Sequence, residues 1–544
     1  MTLTPLLLAA ALFQGPGSTA SIDDSDTHGQ VGDSLLSLDE AIRLANGSLA
    51  TSALSAAEQA RLSGTGAVTT IRIDAASLPT VTTSAALTPL SGQGSEVLVE
   101  GVQDASGSWP MLVGQSQQTT LSLRSHRLRV MGLSFAGGDI AIDAKMPAMT
   151  NPNMPMPMVM NCTFDGQTDC GIQLRATGTD ATMLMVNRAR FTNMPLGYRV
   201  EDMTTSGRIM SNNEFITFDG VTTGCSAFEG GNGNTTMFAL WRSTFDNGET
   251  LCRSTRSTSA TTLFMFRLVY VDATCTGDVV DCEGQSAGTT MVHHHHGDWT
   301  AGAGKRALWT HPRTGQFDVH GSEMVFRGDI EISGSTSSPR FWHQNNRFFD
   351  SAITYDVDGA LPNLLWNRYE NCSITVPASA RSPIDIRSSH LINTTVDAQS
   401  FLAPVDLVGC WRPSGTMSGF SSETGSYAGA FLGQTEVTPR EPQVGGSMQL
   451  YADLPQDIAL IWDIAPSDPR PITSQEPVRF YGDPNQIVIL PAIAIFQSTL
   501  TVPLPNSPAL VGSEWYVQGI ALPLTGGTGA SGFYLPRGER ITLR

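Results

Sequence analysis

Met160-Asn161-Cys162-Thr163-Phe164-Asp165-Gly166 and Val186-Asn187-Arg188-Ala189-Arg190-Phe191 carry one phrase twice: a short apolar strand, a polar residue, then an aromatic. The phrase returns as Asn212-Asn213-Glu214-Phe215, Ser243-Thr244-Phe245-Asp246, Asn345-Asn346-Arg347-Phe348 and Asn367-Arg368-Tyr369-Glu370-Asn371, with Phe135 and Phe326 as looser copies. The aromatics at 135, 164, 191, 215 and 245 are spaced by 29, 27, 24 and 30, and those at 326, 348 and 369 by 22 and 21. Between them, strands alternate over a few residues, as in Ile140-Ala141-Ile142 and Ile330-Glu331-Ile332, and helical periodicity is absent. A short strand series that closes one circuit every ~22–30 residues is what a parallel β-helix requires. No circuit buries its inward face alone; stacking at ~4.8 Å completes the ladders. The spacing places this solenoid at 97–435 and stacks Phe164, Phe191, Phe215 and Phe245 inside it. Propeller blades, at ~40–45 residues, fit the interval less well.

Upstream, Ser37-Leu38-Asp39-Glu40-Ala41-Ile42-Arg43-Leu44-Ala45-Asn46 puts Leu38, Ala41, Ile42 and Ala45 on one helical face. Ser37 with Glu40 three residues later forms a capping box. Residues 21–96 therefore read as a segment that covers the exposed first circuit. Residues 1–20 contain an apolar run, Leu6 to Phe13, followed by small residues up to Ala20, and are expected to be a signal peptide cut near Ala20. No later stretch is apolar for the ~18 residues of a membrane span; Ile487 to Phe496 is shorter and contains Pro491.

Two resemblances bear on the fold. The segment Asp33 to Asn46 resembles the CSLREA segment that precedes right-handed parallel β-helices in secreted bacterial surface proteins. Ser37, Leu38, Glu40, Ala41, Ile42 and Asn46 match it, while Leu36 replaces its Cys and Asp39 its Arg. The repeat region resembles pectate-lyase-like β-helices in general, which implies fold and secretion but no activity. From about Glu436 the aromatic phrase stops. The Pro503-Leu504-Pro505-Asn506-Ser507-Pro508-Ala509-Leu510-Val511-Gly512 and Tyr516-Val517-Gln518 phrases are similar to a C-terminal β-sandwich module of secreted bacterial proteins, so 436–544 is expected to be a small sandwich. The fold class is all-β: a right-handed parallel β-helix followed by a β-sandwich.

The chain has 544 residues, 15% charged, with 32 Lys+Arg against 50 Asp+Glu and a net charge of −18. Lys145 and Lys305 are its lysines. Such an acidic chain without a basic block is unsuited to nucleic acid or anionic membranes. Eight cysteines and no CxxC spacing favour disulfides in an exported protein. Taken in chain order they form four local pairs, Cys162–Cys170, Cys225–Cys252, Cys275–Cys282 and Cys372–Cys410, one of the ~105 connectivities that eight cysteines allow. Cys225 and Cys252 lie one period apart, which brings equivalent Cα atoms within disulfide reach.

The candidate chemistry is sparse. His293-His294-His295-His296 puts either His293 and His295 or His294 and His296 on the outward strand face; His293 and His295 with Asp298 are the candidate site for an adventitious divalent metal. Met154, Met156, Met158 and Met160 alternate as thioethers, a pattern that also suits a Pro-stiffened loop entering a buried strand. Asp318/His320, Asp329/Glu331 and Asp356/Asp358 are pairs two apart, of which Asp318, His320, Asp329 and Glu331 are the candidate catalytic groups for acid–base work on a polysaccharide. Arg327-Gly328-Asp329 spells an integrin tripeptide by composition alone. No P-loop, dinucleotide fingerprint, nucleophile elbow or zinc-protease phrase occurs. The expected role is a secreted or cell-surface scaffold or adhesin that contacts glycans or surface components, without a resident cofactor. The alternative is a polysaccharide lyase or glycoside hydrolase on the same rod.

Overall fold

The structure is a computed structural model. It describes residues 17–424 except 93–95, 146–155, 179–180, 205–207, 230–234, 257–260, 283–288, 311–315, 336–340, 359–362, 366, 388, 409, 411 and 413. Beyond these it describes 434–438, 442–453, 458–465, 467–471, 479–482, 488–489, 494–495, 499–504, 506–523 and 539–544. Two compact units result, one built from Gly15–Val408 with Ser414–Gly425, the other mainly from Ser426–Arg544.

The first unit is a parallel β-helix with three strands to a circuit. Thr289–His295, Asp298–Thr300 and Arg306–Thr310 make one circuit, and Gln316–Ser322, Val325–Arg327 and Asp329–Ser335 the next. Each strand pairs in parallel with its counterpart one circuit on. Three sheets run along the unit, here called first, second and third in chain order within a circuit. The alternation seen in sequence becomes an inside and an outside. Ile330 and Ile332 are buried while Glu331 faces out.

The solenoid begins earlier than the repeat phrase suggested. Ser18–Ile22 pairs in parallel with Val68–Asp74, which pairs in turn with Val97–Val102. The capping segment expected at 21–96 thus already contains solenoid strands, because loosely spaced circuits there lack the aromatic phrase. A cut near Ala20 would fall inside the first strand, where Ala20 is fully buried and partners Ile71; Leu6 to Phe13 lie outside the described residues. The helix Leu38–Ala45 forms as expected. Ser37 N–H donates to Glu40 Oε2 at 2.9 Å, and the Glu40 N–H donates back to Ser37 Oγ at 3.3 Å. Its apolar face lies against Ser18–Ile22 and Val68–Asp74.

Inside, Phe135, Phe164, Phe191 and Phe218 stack face to face with centroids 5.2, 4.7 and 5.2 Å apart, and Phe245 continues the column at 6.2 Å. Phe326, Phe348 and Tyr369 stack likewise further along, at 5.2 and 4.8 Å. Phe215 is not in this column; it is 41% exposed, and Phe218 takes the inward place. The cause is a corner. Asn161, Arg188, Phe215 and Arg242 all have positive φ, 50–57°, and each stands three residues before an inward ring. Gly132, His296, Glu323 and Asn345 hold the same corner before Phe135, Trp299, Phe326 and Phe348. Corner side chains point outward, so Phe215 lies between the guanidinium groups of Arg188 and Arg242, 5.9 and 5.4 Å from its centroid. A second left-handed corner follows most of these rings by two residues, at Gly137, Gly166, Asn193, Gly220, Asn247, Asp350 and Asn371. Asn and Gly enter this conformation at least cost, which explains their abundance in the repeat. The rings also need room across the core. A Cβ on Gly171 would lie 2.6 Å from Phe191 Cδ1, and one on Gly197 2.6 Å from Phe218 Cε1.

The cysteines correct an expectation. Cys225 and Cys252 are direct register partners, as their spacing required. All eight cysteines are nevertheless buried, and none of the four pairs is bridged. Several are engaged with the backbone instead. Cys162 Sγ donates to Met160 O at 3.3 Å, Cys225 Sγ to Leu251 O at 3.2 Å, Cys275 Sγ to Glu249 O at 3.2 Å and Cys372 Sγ to Glu370 O at 3.3 Å. Burial pushes the thiols of Cys162 and Cys170 up to about 12.

In the second unit the strands are antiparallel. Ser447–Asp453 pairs with Gln434–Thr438 and Thr499–Pro503, and Glu514–Pro523 pairs with Ile458–Ala465 and Glu539–Thr542. The all-β class, solenoid then antiparallel sheets, is the one expected from sequence.

Candidate functional site

The four consecutive histidines end a first-sheet strand and enter a corner. Alternation on that strand divides them. His293 and His295 face out, and His294 faces in with no exposed surface. His296 occupies the left-handed corner, φ 56°. The next circuit repeats this geometry with Asp318 and His320 outward, Val319 and Gly321 inward, and Glu323 at the corner. Register therefore brings His293 directly beside His320.

The two imidazoles stack in parallel, centroids 4.5 Å apart and planes 7° apart. Asp318 Oδ1 lies 2.7 Å from His320 Nε2. One nitrogen from each histidine and one oxygen of Asp318 all fall within 4.8 Å of one another. This cluster joins two expectations kept apart in sequence, the metal candidate His293 and the acid–base candidates Asp318 and His320. His295 turns to a different partner, its Nδ1 2.8 Å from Ser322 Oγ. His296 Nδ1 lies 2.9 Å from Glu323 Oε2.

Asp298 leaves the predicted metal set. It belongs to the second sheet, beyond the corner, and pairs with Arg327 Nη1 at 2.6 Å. Asp329 and Glu331 lie on the third sheet, where Asp329 Oδ1 accepts the Ala352 N–H at 2.8 Å and Glu331 Oε2 accepts Arg306 Nε at 2.8 Å. Arg306 also covers the Trp309 ring at 4.0 Å. Asp356 Oδ2 accepts the Ser379 hydroxyl at 2.9 Å. These acids link neighbouring circuits and do not join Asp318. In the methionine run, Val159 is buried between half-buried Met158 and Met160, an ordinary strand; Met154 lies outside the described residues.

Beneath the outward cluster is a second, inward one that the sequence did not disclose. His294 Nε2 and His343 Nε2 approach to 3.3 Å, so one ring donates to the other. Gly321 separates them in register, and a Cβ there would come within 1.9 Å of His294 Cε1. The His294 ring fills the space left by that missing side chain. Trp299 and Phe326 close the pocket with centroids 5.5 and 5.4 Å from His294. Burial, then the neighbouring histidine, holds His294 far below the usual imidazole range, and burial takes His343 down to about 3. Outside, burial first and His320 second lower His293, against the opposing pull of Asp318. His295 falls to about 4, again chiefly through burial, then through His296. At neutral pH these four rings are neutral.

The signal that would have found the outward cluster is the corner pair His296 and Glu323, 27 residues apart. Once these are aligned, His293 and His320 must be neighbours.

No family model matches the chain, and no curated protein matches it. Among solved structures, the chain is similar to a double mutant of the tailspike protein of E. coli bacteriophage HK620, with 8% identity and a TM-score of 0.24 over 80% of this chain and 85% of that one. It is also similar to a tailspike protein of Acinetobacter baumannii bacteriophage Fri1, a capsular polysaccharide depolymerase, with 10% identity and a TM-score of 0.21 over 86% of this chain and 77% of that one. At such scores the architecture rests on the strand ladders described above, not on the likeness. No helix among the described residues is long and apolar enough to cross a membrane.

Proposed function

We propose that this chain works outside the cell as a glycan-contacting β-helix, a rigid scaffold or adhesin. The observation that carries this reading is the outer surface of the solenoid. Its polar side chains recur circuit by circuit and are tied across circuits, as in Arg190–Asp219 at 2.8 Å, Arg327–Asp298 at 2.6 Å and Arg306–Glu331 at 2.8 Å. Fixed guanidinium and carboxylate groups beside the half-buried Trp309 ring suit a polymer with hydroxyl edges and apolar ring faces. Of the acids that sequence marked for catalysis, Glu331 is engaged in one of these ties and Asp329 accepts a backbone N–H of the next circuit.

One contact favours a second reading, an enzyme that cleaves polysaccharide. Asp318 Oδ1 stands 2.7 Å from His320 Nε2, near enough that a small ring rotation would make the hydrogen bond by which a carboxylate orients an imidazole as a general base. One experiment separates the two. The purified chain is incubated with acidic and neutral polysaccharides, and both retention on the polymer and release of reducing ends or unsaturated products are measured. Retention without turnover is the expected result. Sustained turnover abolished by His320→Gln would replace the scaffold with the enzyme, and neither retention nor turnover would remove glycans as the ligand.

A further inference from the structure

We propose that His293, Asp318 and His320 form a binding site for a divalent transition-metal ion of the zinc type. The inference does not depend on the glycan reading. Two imidazoles and one carboxylate are the donor set that zinc, cobalt and nickel share, whereas calcium and magnesium prefer oxygen donors throughout. Three properties make the cluster more than a run of surface histidines.

The first is convergence. The three donor atoms lie within 4.8 Å of one another on two adjacent, hydrogen-bonded strands. Ligands ~2.0–2.1 Å from one tetrahedral ion sit ~3.3 Å apart, so small side-chain rotations close the set without moving backbone. The second is an unused nitrogen. His293 Nε2 is buried and has no hydrogen-bond partner among the described residues, an arrangement that a bound cation would satisfy. The third is support. Val292 and Val319 anchor the two strands in the core, fully or almost fully buried, and the backbones pair in parallel from Thr289 to His295. The scaffold therefore fixes the register on which the cluster depends. Three protein ligands leave a tetrahedral ion one position for water or for an oxygen of a bound molecule.

The competing source of affinity is the histidine run itself, through His295 and His296. Their Nδ1 atoms are engaged with Ser322 and Glu323. The experiment treats the full chain with chelator, removes the chelator, and titrates it with Zn2+ or Co2+ by calorimetry and by the visible absorption of Co2+. One equivalent of Co2+ is expected to give the intense bands of low-coordinate geometry. D318N, H320Q and H293Q should each weaken binding by at least about tenfold, while the paired substitution H295Q/H296Q leaves it unchanged. Excess Ca2+ should not compete. Full affinity in D318N and H320Q, or loss of binding in H295Q/H296Q, overturns the proposal. Should a variant fail to fold, anomalous scattering from Zn2+-soaked crystals of the unsubstituted chain decides. A peak among His293, Asp318 and His320 supports the site, and a peak elsewhere in the run, or none, refutes it.

Discussion

Phe191→Ala removes one ring from the centre of a continuous column. The side chain is fully buried, with ring neighbours at 4.7 Å on one side and 5.2 Å on the other. Returning a buried Phe to water forfeits ~1.5–3 kcal/mol in transfer terms. Losing two stacked contacts forfeits a further ~0.5–1.5 kcal/mol each. Together these give ~2.5–6 kcal/mol, a range that brackets the ~3–5 kcal/mol of cavity-forming Phe→Ala changes. Phe215→Ala is the matched control, because that ring is 41% exposed at a corner and contacts arginines. Its loss should stay below ~1 kcal/mol, the size of exposed cation–π contacts. Urea unfolding followed by circular dichroism measures both, provided the slopes agree. A coupling test sharpens the result. Gly171→Ala alone forces a methyl against Phe191 Cδ1 and should cost ~1–3 kcal/mol. In the Phe191→Ala background the clash with the ring is gone and the 2.9 Å approach to Gly197 O remains, so the double variant should be more stable than the sum of the singles. Equal losses for Phe191→Ala and Phe215→Ala, or strict additivity with Gly171→Ala, would refute the assignment of inward and corner positions.

Three further outcomes follow from particular residues. Burial lowers His343 from 6.5 to about 3, so the unfolded chain takes up a proton that the folded chain refuses; the stability this ring contributes is complete above pH ~6.5 and is lost as pH falls toward ~3. His343→Leu should make urea stability fall less steeply over that window, and an unchanged slope would show that the ring is hydrated. Ser37→Ala should lower stability by ~1 kcal/mol through loss of the cap on Leu38–Ala45, as read from the melting temperature, and no shift would mean that the box is not formed. Thiol titration should find eight reactive groups in denaturant and strong protection in the native state, since burial raises Cys162 and Cys170 to about 12; fewer than eight would restore a disulfide framework.

The solenoid was legible because its period is written in side chains that cannot face water. Phe164, Phe191 and Phe245 mark the interior directly. Phe215 misled because the interval to its neighbours was counted from aromatics, whereas the backbone counts from corners, and a corner tolerates Asn, Arg or Phe provided φ turns positive. The early circuits escaped notice for the opposite reason. Ser18–Ile22 and Val68–Asp74 use small or β-branched residues without a ring, so nothing in them repeats visibly. At the candidate site the histidine run was conspicuous, but its partner was not. Asp318 and His320 stand one circuit away, and only the register relates them. Spacing likewise placed Cys225 beside Cys252, yet proximity in a ladder does not decide oxidation.

The fixed interval from corner to ring has a consequence for how such a chain can change length. A duplicated segment that begins at one corner and ends before the next brings its own ring, its own turn residues and both of its bonding edges. Inserted whole, it would extend the shaft and leave every existing neighbour relation intact except at the splice. Loss of a single residue between His296 and Glu323 would do the reverse. It would shift one strand by half a pleat, turn His320 toward the interior and separate it from His293, while circuits further along kept their stacking. The architecture thus tolerates gain of entire units far better than small deletions, and length variation among related chains should come in steps of one circuit.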